Sequence, residues 1–108
     1  MTLCRALAAD ELWIGEMRGL SLNGRRVLLV RTDDGYSAFE DRCAHLGVRL
    51  SEGALSGCVL TCRAHHYQYD ARTGQGMNPK SARLPRFSVE VSGGAVHVDV
   101  PSEAEVQR

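Results

Sequence analysis

The stretch Arg18-Gly19-Leu20-Ser21-Leu22-Asn23-Gly24-Arg25-Arg26-Val27-Leu28-Leu29-Val30-Arg31-Thr32-Asp33-Asp34-Gly35-Tyr36-Ser37-Ala38-Phe39 decides the fold class. Arg18 to Leu22, Val27 to Arg31 and Tyr36 to Phe39 read as strands. Asn23-Gly24 and Asp33-Asp34-Gly35 separate them, and both separators are hairpin signals. The pattern returns near the other end. Phe87-Ser88-Val89-Glu90-Val91 alternates apolar and polar residues, Gly93-Gly94 turns the chain, and Val96, Val98 and Val100 alternate again. That predicts a second hairpin. Asp10 to Trp13 has room for one helical turn. No long 3.6-residue period exists, so the class is all-β.

The middle differs in kind. From Asp41 to Arg86 the chain is rich in Gly, Cys, His and turn residues, with short apolar runs such as Val59-Leu60. It reads as a loop-built site inserted between two sets of strands. Pro101 to Arg108 reads as a polar tail. With 108 residues the chain fits one domain, 1–108, with a modest core.

Thirteen cationic residues balance thirteen anionic ones. Nothing in that balance favours nucleic acid or an anionic membrane. Twelve of the cations are arginine, and Lys80 is the one lysine. Arg5, Asp10 and Glu11 interrupt the early apolar residues, so no signal peptide is read there. No stretch approaches the roughly 18 apolar residues of a spanning helix. A cytoplasmic monomer is the expectation. The four cysteines are Cys4, Cys43, Cys58 and Cys62, and in a cytosolic chain they point to metal rather than to disulfides.

Two short pairs carry the chemistry: Cys43-Ala44-His45 and Cys62-Arg63-Ala64-His65, with sixteen residues between His45 and Cys62. Each pair offers one thiolate and one imidazole to a single site, and an intervening hairpin can bring the two together. Sulfur and imidazole nitrogen suit iron–sulfur clusters and also zinc. Buried cysteines beside unrelated surface histidines are the plainer alternative.

Here the sequence resembles the Rieske family, whose pattern is C-x-H, a spacer of this length, then C-x-x-H. The flanks agree: Leu46-Gly47 after the first histidine, Tyr69-Asp70 and Thr73-Gly74 after the second, and Pro79 where the family has a proline loop over the cluster. The resemblance runs from about Leu3 to Val100. It implies an antiparallel β-sandwich with an inserted, loop-rich cluster-binding subdomain at about 41–86. It implies one [2Fe–2S] cluster, with Cys43 and Cys62 on the inner iron and His45 and His65 on the outer. With neutral histidines, two ferric ions, two sulfides and two thiolates sum to zero charge. Such a cluster takes an electron more easily than a four-cysteine one. His66 adjoins His65, but the family spacing selects His65. His66 then reads either as a neighbour of the cluster or as a solvated surface histidine. Cys4 and Cys58 read as thiols outside the ligand set, Cys58 on the same strand face as Cys62 by period two. His97 has no assigned role.

Respiratory Rieske proteins carry a disulfide between the cluster loops, at positions that are Val48 and Ala64 here. Their serine position is Tyr67. Tyr69 matches a tyrosine whose hydroxyl bonds a cysteine sulfur in that branch. The chain therefore resembles the soluble, lower-potential branch. It has no room for a substrate pocket or flavin domain, and no 2-His-1-carboxylate triad beyond the cluster ligands. It is read as an electron carrier, not an oxygenase. Glu11-Leu12-Trp13-Ile14-Gly15-Glu16-Met17, Leu50-Ser51-Glu52-Gly53, Thr61 to His65 and Thr73-Gly74 through Asn78-Pro79 resemble the ferredoxin of multicomponent diiron toluene and alkene monooxygenases. That likeness implies a flavin-containing NADH reductase upstream and a diiron hydroxylase downstream. The alternatives are the ferredoxin of an aromatic-ring dioxygenase, a nitrite reductase small subunit and a zinc-stabilised module. Leu46, Val48, His66, Tyr67, Met77 and Pro79 are mostly apolar or amphipathic and read either as a low-charge docking patch or as packing of the cluster loops.

Overall fold

The computed structural model describes residues 3–42, 49–63, 67–78, 80 and 82–100. The strands are β1 (Leu3–Ala8), β2 (Met17–Leu22), β3 (Arg25–Thr32), β4 (Gly35–Glu40), β5 (Ala54–Ser56), β6 (Val59–Thr61), β7 (Gln68–Asp70), β8 (Gly76–Asn78), β9 (Arg86–Phe87), β10 (Val89–Ser92) and β11 (Ala95–Asp99). They form three antiparallel sheets, ordered β1-β11-β10, β2-β3-β4-β9 and β5-β6-β7-β8. Among the described residues the helical elements are two 3-10 turns, Ala9–Glu11 and Leu50–Glu52. The all-β expectation holds, and the helical turn falls close to Asp10–Trp13.

The β2–β3 hairpin forms as Asn23-Gly24 predicts. Leu22 pairs with Arg25 across a two-residue loop, in which Asn23 has φ 52° and Gly24 φ 77°. Both central residues at positive φ give a turn whose twist suits two antiparallel strands. Gly93 and Gly94, at φ 59° and 74°, repeat the device between β10 and β11.

β3 explains the layering. Its run Val27-Leu28-Leu29-Val30 is fully buried, and successive side chains point to opposite faces. Val27 and Leu29 join Leu7, Ala38, Val96 and Val98 on one side. Leu28 and Val30 join Phe39, Leu50, Leu60, Tyr69 and Leu84 on the other. The second sheet is therefore the middle layer, buried on both faces. An unbroken apolar run, rather than alternation, is what such a strand requires.

Two sequence expectations change. The alternating run Phe87 to Val91 reads as one strand, but it is split at Ser88. Phe87 pairs with Ala38 in the middle sheet, and Val89 with Val98 in the outer one. The strand turns the corner of the sandwich, and alternation alone does not register a change of sheet. The segment 41–86 is also more regular than a loop-built insert, since it holds the whole β5–β8 sheet. Its strands have three residues each, too few to declare a period.

Candidate functional site

Of the four expected ligands, Cys62 lies among the described residues. Cys43, His45 and His65 lie outside them. So do the expected docking positions Leu46, Val48, His66 and Pro79, and the tail 101–108. Cys62 follows β6 directly and has no solvent exposure. Around it are Leu28, Val30, Phe39, Leu50, Leu60, Tyr69, Ala71 and Leu84. The Cys62 N–H donates to the Tyr67 carbonyl at 2.7 Å, one step beyond the Thr61–Gln68 pair. That bond ties the two ends of the connection on which position 65 lies.

A buried carboxylate ties the other connection. Asp41, 3% exposed, directly follows β4. Its Oδ1 accepts the Ser51 N–H at 2.8 Å, and its Oδ2 accepts the Ser51 hydroxyl at 2.7 Å. Arg26 donates to Oδ2 at 3.3 Å, and the Asp41 N–H donates to the Arg26 carbonyl at 3.1 Å. Asp41 and Ser51 thus close the chain on either side of Cys43 and His45. Gly19 lies against this cluster: a Cβ there would stand 2.7 Å from Asp41 Oδ2 and 2.9 Å from Ser51 Oγ. Hydrogen bonds to a charged group each contribute about 1.5–3 kcal/mol, and a partner left alone after its mate is removed costs more than the bond contributed.

Asp41→Ala should accordingly lower stability by about 3 kcal/mol and reduce the metal retained after purification. Asp41→Asn, which keeps one acceptor oxygen, should fall between. Thermal denaturation and metal content on the same samples check this; equal values for all three proteins would remove the role.

The two connections meet at Gly53. A Cβ there would overlap the Thr61 carbonyl oxygen, so only glycine lets the Leu50–Glu52 turn rest on the end of β6. An exposed ion pair, Glu52 to Arg63 at 3.4 Å, crosses the same gap. The likeness carried by Leu50-Ser51-Glu52-Gly53 assigns none of these contacts, and no local sequence pattern marks Asp41, Arg26 or Gly19.

Further out, Asp70 builds the turn that carries Thr73-Gly74. Asp70 Oδ1 accepts the Arg72 N–H at 2.9 Å, and the Asp70 carbonyl accepts the Gly74 N–H at 2.7 Å. The Arg72 guanidinium holds the Asp70 carboxyl below the usual carboxylate range. Gly74 has φ +84°, and a Cβ there would stand 2.6 Å from the Leu84 carbonyl oxygen. Tyr69 is fully buried beside Cys62. Tyr67 is half-buried against the same cluster, its ring centroid 6.5 Å from that of Tyr69. Met77 is 47% exposed. Cys58 departs from expectation. It sits in the turn before β6, where Gly57 has φ +60°, and its sulfur lies 3.9 Å from Asp33 Oδ1. The turn places it at the far end of β6 from Cys62. No disulfide joins the described cysteines.

The donor set suits a neutral group. The described core around Cys62 is apolar apart from the tyrosine hydroxyl, and burying net charge there would cost several kcal/mol. Two thiolates and two neutral imidazoles would leave a core of two ferric ions and two bridging sulfides uncharged.

Comparisons with known proteins show the family. The family model described as "Rieske [2Fe-2S] domain" matches residues 2–88. The ferredoxin component of the alkene monooxygenase system of Xanthobacter autotrophicus is 38% identical over 102 residues, covering 91% of this chain and 84% of that protein. The ferredoxin component of the naphthalene 1,2-dioxygenase system of Pseudomonas aeruginosa is 26% identical, covering 88% and 92%. Among solved structures, a chain from a complex of reduced oxygenase and oxidised ferredoxin in carbazole 1,9a-dioxygenase superposes with a TM-score of 0.81. It is 33% identical, with 89% of this chain and 91% of that one covered.

Proposed function

Because this chain belongs to the Rieske [2Fe–2S] family, whose mark is one Rieske-type cluster, we propose that Cys43 and Cys62 hold its inner iron and His45 and His65 its outer one. The cluster supplies a one-electron couple. The protein's own part is to hold the four donors, keep water from the thiolate side and leave the imidazole side at the surface. Cys62 in its apolar nest does the second. Asp41 with Ser51 and Gly53 against Thr61 do the first. We read the whole of 1–108 as one domain and 41–86 as its cluster-binding subdomain.

The carrier serves an oxygenase system. The finer reading is a diiron hydroxylase of the toluene/alkene monooxygenase type, fed by an NADH-dependent flavin reductase, in the cytoplasm. The observation that carries it is the 38% identity to an alkene monooxygenase ferredoxin across 102 residues. A dioxygenase partner is the second reading, favoured by the fold match to the carbazole dioxygenase ferredoxin complex. Within either system the substrate binds the oxygenase, not this chain. No helix of the described residues is long and apolar enough to cross a membrane.

Reconstitution separates the two readings. With NADH and a flavin reductase, the loaded protein should support turnover by a diiron alkene or toluene hydroxylase. With a terminal ring dioxygenase it should be markedly slower. The reverse order would move the assignment to the dioxygenase systems. The ligand assignment has its own check: His65→Ala should bleach the protein and His66→Ala should not. The opposite result would shift the outer ligand by one residue.

A further inference from the structure

The described surface beside the ligand-bearing connections is cationic. Arg42 and Arg49, both exposed, flank the 43–48 connection. With Arg25, Arg26, Glu40 and Asp41 they line an open cavity of about 330 Å³. Exposed Arg63 follows Cys62, and exposed Lys80 lies two residues past the end of β8. The carboxylates in this region are engaged: Glu40 with Arg25 at 3.3 Å, Asp41 with Arg26 at 3.3 Å, and Glu52 with Arg63 at 3.4 Å. Pairing these off leaves Arg42, Arg49 and Lys80, none of which forms an ion pair with a described carboxylate. Positions 43–48, 64–66, 79 and 81 contain no Asp, Glu, Lys or Arg and add no formal charge; the tail 101–108, outside the described residues, adds Glu103, Glu105 and Arg108.

The opposite end of the middle sheet is anionic. Asp33 and Asp34 make the β3–β4 turn, and Asp10, Glu11 and Glu16 lie on the segment between β1 and β2. The Gly15 N–H holds that segment to the Arg31 carbonyl at 2.8 Å. Arg18 and Arg31 offset part of this charge. Arg18 reaches the Glu11 carbonyl, and the Arg31 guanidinium stacks on Tyr36 at 4.5 Å. Arg72 is taken by Asp70. A chain of zero net charge is thus polarised along the middle sheet, positive at the cluster end.

We propose that this cluster end is a cationic docking face for an acidic surface on the electron-accepting oxygenase component, and that the polarity turns the chain cluster-first on approach. The proposal rests on the carrier reading above. With no net charge the chain has no overall attraction to a polyanion, so orientation, not capture, is what its charges supply. Rim charges act chiefly on the rate of encounter and on register. Half-buried Tyr67 directly precedes β7, and exposed Met77 lies in β8, which ends two residues before Lys80.

Two small oxidants of opposite charge test the polarity without any protein partner. The reduced, loaded protein gives one electron to ferricyanide, forming ferrocyanide, or one to hexaammineruthenium(III), forming the ruthenium(II) ion. Raising salt from about 0.01 to 0.2 M shortens the screening length from about 30 Å to below 8 Å. The ferricyanide rate should fall about fivefold over that range while the ruthenium rate rises, a divergence that local positive charge at the exit edge requires. Arg42→Gln with Arg49→Gln should flatten both curves and leave the visible spectrum unchanged, which also verifies that the variant is folded and loaded. Salt curves of the same sign for both oxidants, or opposite to those stated, overturn the cationic face. If the curves are as stated but no oxygenase component accepts the electron, the carrier reading fails instead.

Discussion

Cys62→Ser should yield a colourless protein holding less than about a tenth of the wild-type iron, because a hard hydroxyl replaces a soft thiolate on iron. The location makes the loss more severe than a surface ligand change. Cys62 is fully buried in an apolar cluster that includes Leu28, Leu50, Leu60 and Phe39, so the described surroundings shield the position from bulk water. Metal binding and folding are linked, so the denaturation midpoint should fall with the iron. Iron analysis and thermal denaturation of wild type and variant check both. Cys58→Ser is the control: its sulfur faces Asp33 at the other end of β6, and its iron content should equal wild type. A Cys62→Ser protein that keeps its colour would remove Cys62 from the ligand set.

Gly53→Ala is the second large effect. The added methyl overlaps the Thr61 carbonyl oxygen, which is backbone and cannot swing away. Overpacking of this kind costs about 1–3 kcal/mol or more. The displacement falls where the Leu50–Glu52 turn meets the last residue of β6, one position before Cys62. The two ligand-bearing connections should therefore move apart. The expected result is a protein with lower stability and incomplete loading, and a broadened electron paramagnetic resonance signal from what loads. Gly57→Ala is the comparison: its Cβ meets nothing within 4 Å, although φ is +60°, so it carries strain of about 1 kcal/mol in a turn without a clash. Equal loading of the two variants would show that close approach at Gly53 does not govern the site.

The layering of the fold could be read in β3, where four consecutive apolar residues demand burial on both faces, and in the Asn23-Gly24 and Gly93-Gly94 turns. The β5–β8 sheet could not be read, since three-residue strands show no period, and its pairing is set by contacts with the middle layer. The split at Ser88 is also tertiary, for one alternating run serves two sheets. The ligand pairs stood out because a thiolate and an imidazole so close together, twice, have few other uses. What holds those pairs was not legible. Asp41 reaches Ser51 across ten residues, and Gly19 matters because of what lies over it. Neither relation leaves a local pattern. The residues expected to form a docking patch read as low in charge, while Arg42 and Arg49 gain meaning only once the carboxylate partners of Arg25, Arg26 and Arg63 are assigned.

The central claim is that two histidines and two cysteines hold one cluster, and pulsed electron paramagnetic resonance of the reduced protein labelled with ¹⁵N at histidine tests it most directly. The account predicts a Rieske-type signal coupled to two histidine nitrogens, with both couplings kept in His66→Ala and the whole signal lost with the cluster in His65→Ala. A reduced protein without such a signal, with stoichiometric zinc in place of iron, or a signal with no coupled histidine nitrogen, would contradict it.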